Sequence, residues 1–170
     1  VLMRVSIMQP AYLPWAGYIQ RILHSDLHIV LDHVRIDWHS KTQFTNRNNV
    51  LTTTGPVWLT IPILKDGSDG LSINKIRINN TQNWRRKHAV TIAQNYKKSA
   101  YYQEYEPFIS SFFDQEHTLL SESIEQSTAH LLSAFGADTP RLFSSEMNIT
   151  GQKESLVLNL CREVGATQYI

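Results

Sequence analysis

Val5-Ser6-Ile7-Met8 is a short apolar run, and Gln9-Pro10-Ala11-Tyr12-Leu13-Pro14-Trp15-Ala16-Gly17-Tyr18 crowds two prolines, a glycine, a tryptophan and two tyrosines behind it. Apolar residues at helical spacing follow through Ile22-Leu23, and a second apolar run, Leu27-His28-Ile29-Val30-Leu31, comes next. A periodicity that switches in this way predicts strand, loop, helix and strand. Strands joined through a helix run parallel with a right-handed crossover. The loop leaving the first strand then opens at the carboxyl edge of the sheet, where α/β folds hold their ligands. Pro14 suits the first helical turn and is expected to keep Leu13 extended.

The rest of the chain extends this beginning. Residues 35–54 lack periodicity and hold Trp38, His39, Lys41, Phe44 and Asn46-Arg47-Asn48-Asn49, which reads as a long functional loop. Val57 to Ile63 reads as a strand, residues 65–70 as a turn, and Ser72-Ile73-Asn74-Lys75-Ile76-Arg77-Ile78 as a half-exposed strand. Asn80 or Thr81 is placed to cap a helix over residues 82–97, with Trp84, His88, Ile92 and Tyr96 on one face. Helices are expected over 102–113, 118–135 and 152–164, the last two ended by Gly136 and Gly165, with short strands within 139–145 and from 167. The sum is one α/β domain over residues 1–170, a three-layer Rossmann-like arrangement with a mainly parallel sheet and a helical C-terminal half.

Composition removes several function classes. Sixteen Lys and Arg against fifteen Asp and Glu leave a net charge of +1, so no global field favours nucleic acid or a membrane surface. Aromatic and basic residues interleave at Trp84-Arg85-Arg86-Lys87 and Tyr96-Lys97-Lys98, which leaves room for contact with one charged tRNA end but not for general nucleic-acid binding. The single cysteine, Cys161, shares helical spacing with Leu156, Leu160 and Val164, as a small buried hydrophobe would, and fits a reducing, cytoplasmic setting. Arg4, Pro10 and Pro14 interrupt the apolar N-terminus before signal-peptide or membrane-spanning length. His24 and His28 stand four apart but across a helix end, and His28, His33 and His39 follow no ligand spacing, so no metal is expected. Nucleophile-elbow, Walker and dinucleotide fingerprints are missing, and no cofactor is indicated.

Several segments together carry a resemblance. Gln9 to Tyr18, Ser25-Asp26, Leu31-Asp32-His33-Val34, Asn46-Arg47-Asn48, Trp58-Leu59-Thr60-Ile61-Pro62, and Trp84-Arg85-Arg86-Lys87-His88 with Tyr96 are similar to the bacterial WbqC-like protein family. The resemblance implies association with O-antigen and other surface-polysaccharide gene clusters, and an aminoacyl or glycine transferase role. It also implies a further C-terminal strand and helix beyond this chain. A second comparison is with nucleotidylyltransferases, which place His-x-Gly-His after their first strand. Here that spacing reads Trp15-Ala16-Gly17-Tyr18, so the glycine is kept while both phosphate-contacting imidazoles are aromatics. Such a loop suits a stacked sugar or base better than a triphosphate.

The candidate residues follow. Gln9, Tyr12, Trp15, Gly17 and Tyr18 would form a recognition loop, though Trp15 and Tyr18 would equally pack the helix onto the sheet. Asp32, at the end of the second strand, would share that edge as a catalytic carboxylate or serve as a turn residue, with His33 pointing to the opposite face. Arg47 beside Asn48 offers a forked donor for carboxylate or phosphate. Trp84, Lys87 and His88 would supply ring contact, charge and acid–base chemistry, or His88 would be a packed core histidine. Three cations in one first turn oppose the helix dipole, so the turn is a docked-anion site or a solvated face. The expected activity is transfer of a small acyl or aminoacyl group to an amino-sugar nucleotide. Non-catalytic binding of a nucleotide sugar and divergent adenylyl transfer are the alternatives.

Overall fold

The computed structural model describes residues 2–65 and 70–170, so most of the turn expected at 65–70 lies outside the described residues. The chain forms β1 (Arg4–Met8), α1 (Ala16–Leu23), β2 (Leu27–Val30), β3 (Arg47–Thr52), β4 (Gly55–Thr60), α2 (Trp84–Tyr96), α3 (Tyr102–Asp114), α4 (Leu120–Ala134), β5 (Arg141–Phe143), α5 (Lys153–Glu163) and β6 (Gln168–Tyr169). β1 pairs in parallel with β2, from Val5 opposite Leu27 to Met8 opposite Val30. β5 joins the far side of β2 and β6 the free side of β1, both parallel, to give the order β5-β2-β1-β6.

Strand alternation sorts the side chains between two layers of helix. Val5, Ile7, Leu27 and Ile29 pack with Leu156 and Leu160 of α5. On the other face, Met8 meets Tyr18, Ile19 and Ile22 of α1 and Leu132 of α4. The sheet thus has helices on both sides, a three-layer Rossmann-like arrangement followed by a helical C-terminal half. A further core gathers Leu59, Ile61, Ile73, Ile76 and Ile78 with Trp84 of α2, Phe112 and Phe113 of α3, and Leu120 and Ile124 of α4. The β1–α1 loop ties the cores together, because Ala11 packs with α1 while its neighbour Tyr12 enters the core under α2.

Four expectations are corrected. Residues 47–52, expected as loop, form one strand of an antiparallel hairpin with β4, closed at Thr52 opposite Gly55. Gly55 makes the turn at φ 114°, a conformation that costs other residues a steric clash. Residues 72–78 are not a strand: a 3-10 turn at Ile73–Lys75 puts Ile73 and Ile76 on one buried side, and the backbone pairs only singly, with Arg35, Leu119 and Ile63. An apolar spacing of three, then two, satisfies either conformation. Leu13 is left-handed, at φ 45°, and not extended. Its carbonyl and that of Tyr12 both turn toward the Asn48 side-chain amide, at 2.7 and 3.1 Å, which folds the chain back there. Pro14 accordingly precedes the helix, and Trp15 is its N-terminal boundary. Finally, α2 begins at Trp84 because Asn79 Oδ1 accepts hydrogen bonds from the Thr81 amide and hydroxyl, holding that segment in a turn. The exits of α4 and α5 are as expected, with Gly136 and Gly165 left-handed.

Candidate functional site

The β1–α1 loop divides its residues between core and surface. Tyr12 is fully buried, so it does not line a binding surface as the sequence suggested; its hydroxyl hydrogen-bonds His88 Nδ1 at 2.9 Å. Tyr18 is also core: 3% exposed, it donates its hydroxyl to the Gln9 carbonyl at 3.2 Å and packs edge-on against His28. Trp15 instead stays 48% exposed. Gly17 makes room for it, since a Cβ there would come 3.2 Å from the indole Nε1. Gln9 is exposed at the end of β1.

Gln9, Trp15 and Tyr18 line a cleft of about 420 Å³ at the carboxyl end of β1, the edge where the topology predicts a ligand. Phe44, Gln43 and Thr42 form its opposite wall, and Arg21 and Asp37 also line it. An aromatic ribbon leads out of this cleft. The Trp15 and Phe44 rings are 5.2 Å apart, and Phe44 lies 5.8 Å from Trp58, itself 43% exposed. The hairpin register explains Trp58: Asn49 is opposite Trp58 and Asn48 opposite Leu59, so Leu59 and Asn48 face one way, Trp58 and Arg47 the other. Asn48 thereby reaches the Tyr12–Leu13 carbonyls, a structural clamp. The Arg47 guanidinium lies over the Trp58 ring at 4.6 Å while donating to the Gln43 carbonyl at 3.1 Å. Arg47 is thus committed to the ribbon and to the wall of the first cleft.

The ribbon ends in a second cleft of about 390 Å³, lined by Trp58, Thr60, Gln82, Trp84, Lys87 and His88. Trp84 is 6% exposed, edge-on to His88, with its indole N–H given to Asn80 at 3.3 Å. His88 is 2% exposed. Burial first, then the neighbouring Lys87 charge, lowers its pKa to about 4, against a backbone hydrogen bond at Thr60 that favours the proton. Engaged by Tyr12 and by Thr60, this imidazole is neutral and held on both sides. The cation triplet is also divided: Arg85 pairs with Glu116 at 2.8 Å and donates to the Asp114 carbonyl, where the C-terminal dipole of α3 is negative. Lys87 is exposed at the cleft.

Asp32 shares the carboxyl edge of the sheet with Gln9 but lines neither cleft. Its carboxylate accepts hydrogen bonds from the Ser144 hydroxyl at 3.1 Å and from the Ser145 amide and hydroxyl at 2.8 and 2.6 Å, which pins the segment after β5 to the end of β2. β2 ends at Val30, so alternation no longer applies, and His33 bonds the same Ser144 hydroxyl at 2.6 Å instead of pointing away. Cys161 is half-buried against the α5 core, where burial raises its pKa. Among the described residues no group of three His, Cys, Asp or Glu is placed to hold a metal ion, and no helix is long and apolar enough to cross a membrane.

Sequence reasoning does not single out Phe44, Trp58, Arg21 or Asp37, which the structure places at the two clefts. Trp58 had a signal, because alternation with Leu59 and Ile61 turns it outward; Arg21 and Asp37 had none, because their convergence depends on where a loop of no period crosses α1.

Residues 9–170 match the WbqC-like protein family. The chain is 27% identical over 168 residues to Uncharacterized protein Rv1507c of Mycobacterium tuberculosis, covering 98% of this chain and 71% of that protein. No solved structure matches.

Proposed function

From the premise that the chain belongs to the WbqC-like protein family, we propose that it is a group-transfer enzyme that moves a small acyl or aminoacyl group onto the amine of an amino-sugar nucleotide, in the making of a surface polysaccharide. The observation that carries this is the aromatic ribbon Trp15–Phe44–Trp58, which joins two clefts of similar size. Exposed aromatics suit the apolar faces of sugar rings and bases, and two joined clefts suit an acceptor and a donor brought together. The acceptor lies along the ribbon from the first cleft to Trp58, and the activated acyl group sits in the second cleft beyond it, beside Lys87. The ammonium first gives a proton to water, the neutral nitrogen attacks the acyl carbon, the bond from that carbon to the donor oxygen or sulfur breaks, and a second nitrogen proton passes through water to the leaving group.

In this reading Tyr12, Asn48, His88 and Asp32 are positioning residues. They hold the loop, the hairpin and the post-β5 segment, and their polar atoms are already engaged. A binding-only function shares the ribbon and clefts and is favoured by the absence of a free base at Asp32 and His88. Divergent adenylyl transfer is the weakest, since the first cleft carries one cation, Arg21, against the charge of a triphosphate.

Mass spectrometry separates these. Incubation of the protein with a 4-amino sugar nucleotide and a panel of activated acyl and aminoacyl donors is expected to give the N-acylated sugar nucleotide. Binding of the acceptor with no product across the panel leaves the binding-only function, and release of pyrophosphate from ATP marks the adenylyl route.

A further inference from the structure

The first cleft contains two charged side chains, one of each sign. Arg21 projects from α1 and Asp37 from the loop before β3, and all other groups lining the cleft are neutral. Among the described residues the ion pairs are Arg4–Asp26, Arg85–Glu116 and Arg141–Glu125, so neither cleft residue is neutralised by a partner. Asp37 accepts one hydrogen bond, from the His39 amide to Oδ1 at 3.0 Å, which leaves its second oxygen available. The Arg21 carbonyl takes the Ser25 hydroxyl, and its guanidinium is open to solvent. A site for phosphates alone would gather cations, and a site for a neutral sugar would need neither charge. A guanidinium and a carboxylate beside exposed aromatic rings fit a ligand that carries an anion, a ring and a cation together.

We propose that Asp37 and Arg21 make this cleft selective for a sugar nucleotide whose ring bears a protonated amine. Asp37 takes the ammonium, Trp15 and Phe44 face the ring, and Arg21 takes a phosphate. This rests on the nucleotide-sugar reading above and adds to it the residue that chooses amine over hydroxyl. With a hydroxyl in place of the amine, Asp37 loses an ionic partner while still repelling the phosphates, so the specificity is partly negative. The loss of one charge-assisted hydrogen bond corresponds to roughly 10-fold or more in affinity.

Calorimetric titration with UDP- and dTDP-linked 4-amino-4,6-dideoxyglucose, each beside its 4-hydroxy counterpart, tests the choice without requiring turnover. The wild-type protein is expected to prefer the amine by roughly 10-fold. Asp37→Asn should abolish that preference, weakening the amine ligand through loss of its ionic partner and tightening the hydroxy ligand through loss of the repulsion. Arg21→Gln should weaken both ligands equally and keep the preference. Thermal melts should be unchanged in both variants, since both side chains are exposed. Equal binding of amine and hydroxyl by wild-type protein, or an intact preference in Asp37→Asn, overturns the assignment and leaves the nucleotide-sugar reading standing. Failure of every sugar nucleotide to bind overturns both.

Discussion

Tyr12 and His88 hold one another where neither meets water. Burial pushes the Tyr12 hydroxyl well above its ordinary range and lowers His88 to about 4, so both stay neutral and the pair is a plain hydrogen bond. Tyr12→Phe leaves the imidazole Nδ1 buried without a partner, and chemical denaturation should show a loss of about 1–3 kcal/mol. His28 is a second such group. It is 1% exposed, bonded to Ser6 at 2.8 Å, and burial, with the Arg141 and Arg21 charges, lowers it to about 4. In the unfolded chain both histidines take up a proton near 6.5, so between about 6.5 and 4 protons favour unfolding. Stability is therefore full above pH 6.5 and falls as the pH drops through that interval, by about 3 kcal/mol for each histidine. Histidine NMR titration of the folded protein should find both rings neutral at pH 5; midpoints near 6.5 would contradict the burial argument.

At the scale of elements, the β3–β4 hairpin is what gives a strand-to-helix loop its clamp and its aromatic neighbours. One face clamps the loop through Asn48, and the other presents Trp58 and Arg47 beside Phe44. Asn48→Ala removes both side-chain hydrogen bonds to the loop, so hydrogen exchange at residues 12–18 should quicken while the β1–β2 amides keep their protection; unchanged exchange in the loop would deny the clamp. The hairpin is also where sequence reading stopped. The β1–α1–β2 unit was legible because its periods are strong and local. Arg47 to Thr52 was not, because Asn48 and Asn49 have poor strand propensity and are held by the partner strand and by a loop 35 residues away in sequence. Trp15 is exposed on the loop and Tyr12 is buried beneath it, a difference that nothing local signals, because the partner of Tyr12, His88, is 76 residues on.

At the scale of the whole molecule, two cores and two clefts meet at one loop. Ala11 and Tyr12 anchor it in separate cores, and Trp15 begins a ribbon of rings that runs through Phe44 to Trp58 and a second cleft. Rigid anchoring on both sides reduces the entropy lost when a ligand binds. It also means that the exposed rings can be removed without unfolding the protein, which separates binding from stability. The deciding measurement is the affinity of an amino-sugar nucleotide for wild-type protein, Trp15→Ala and Trp58→Ala under identical conditions. Stacking on each ring predicts that both variants bind roughly 10-fold or more weakly, with melting temperatures held. Unchanged affinity in both variants would contradict the ribbon as the binding surface, and with it the function built on it.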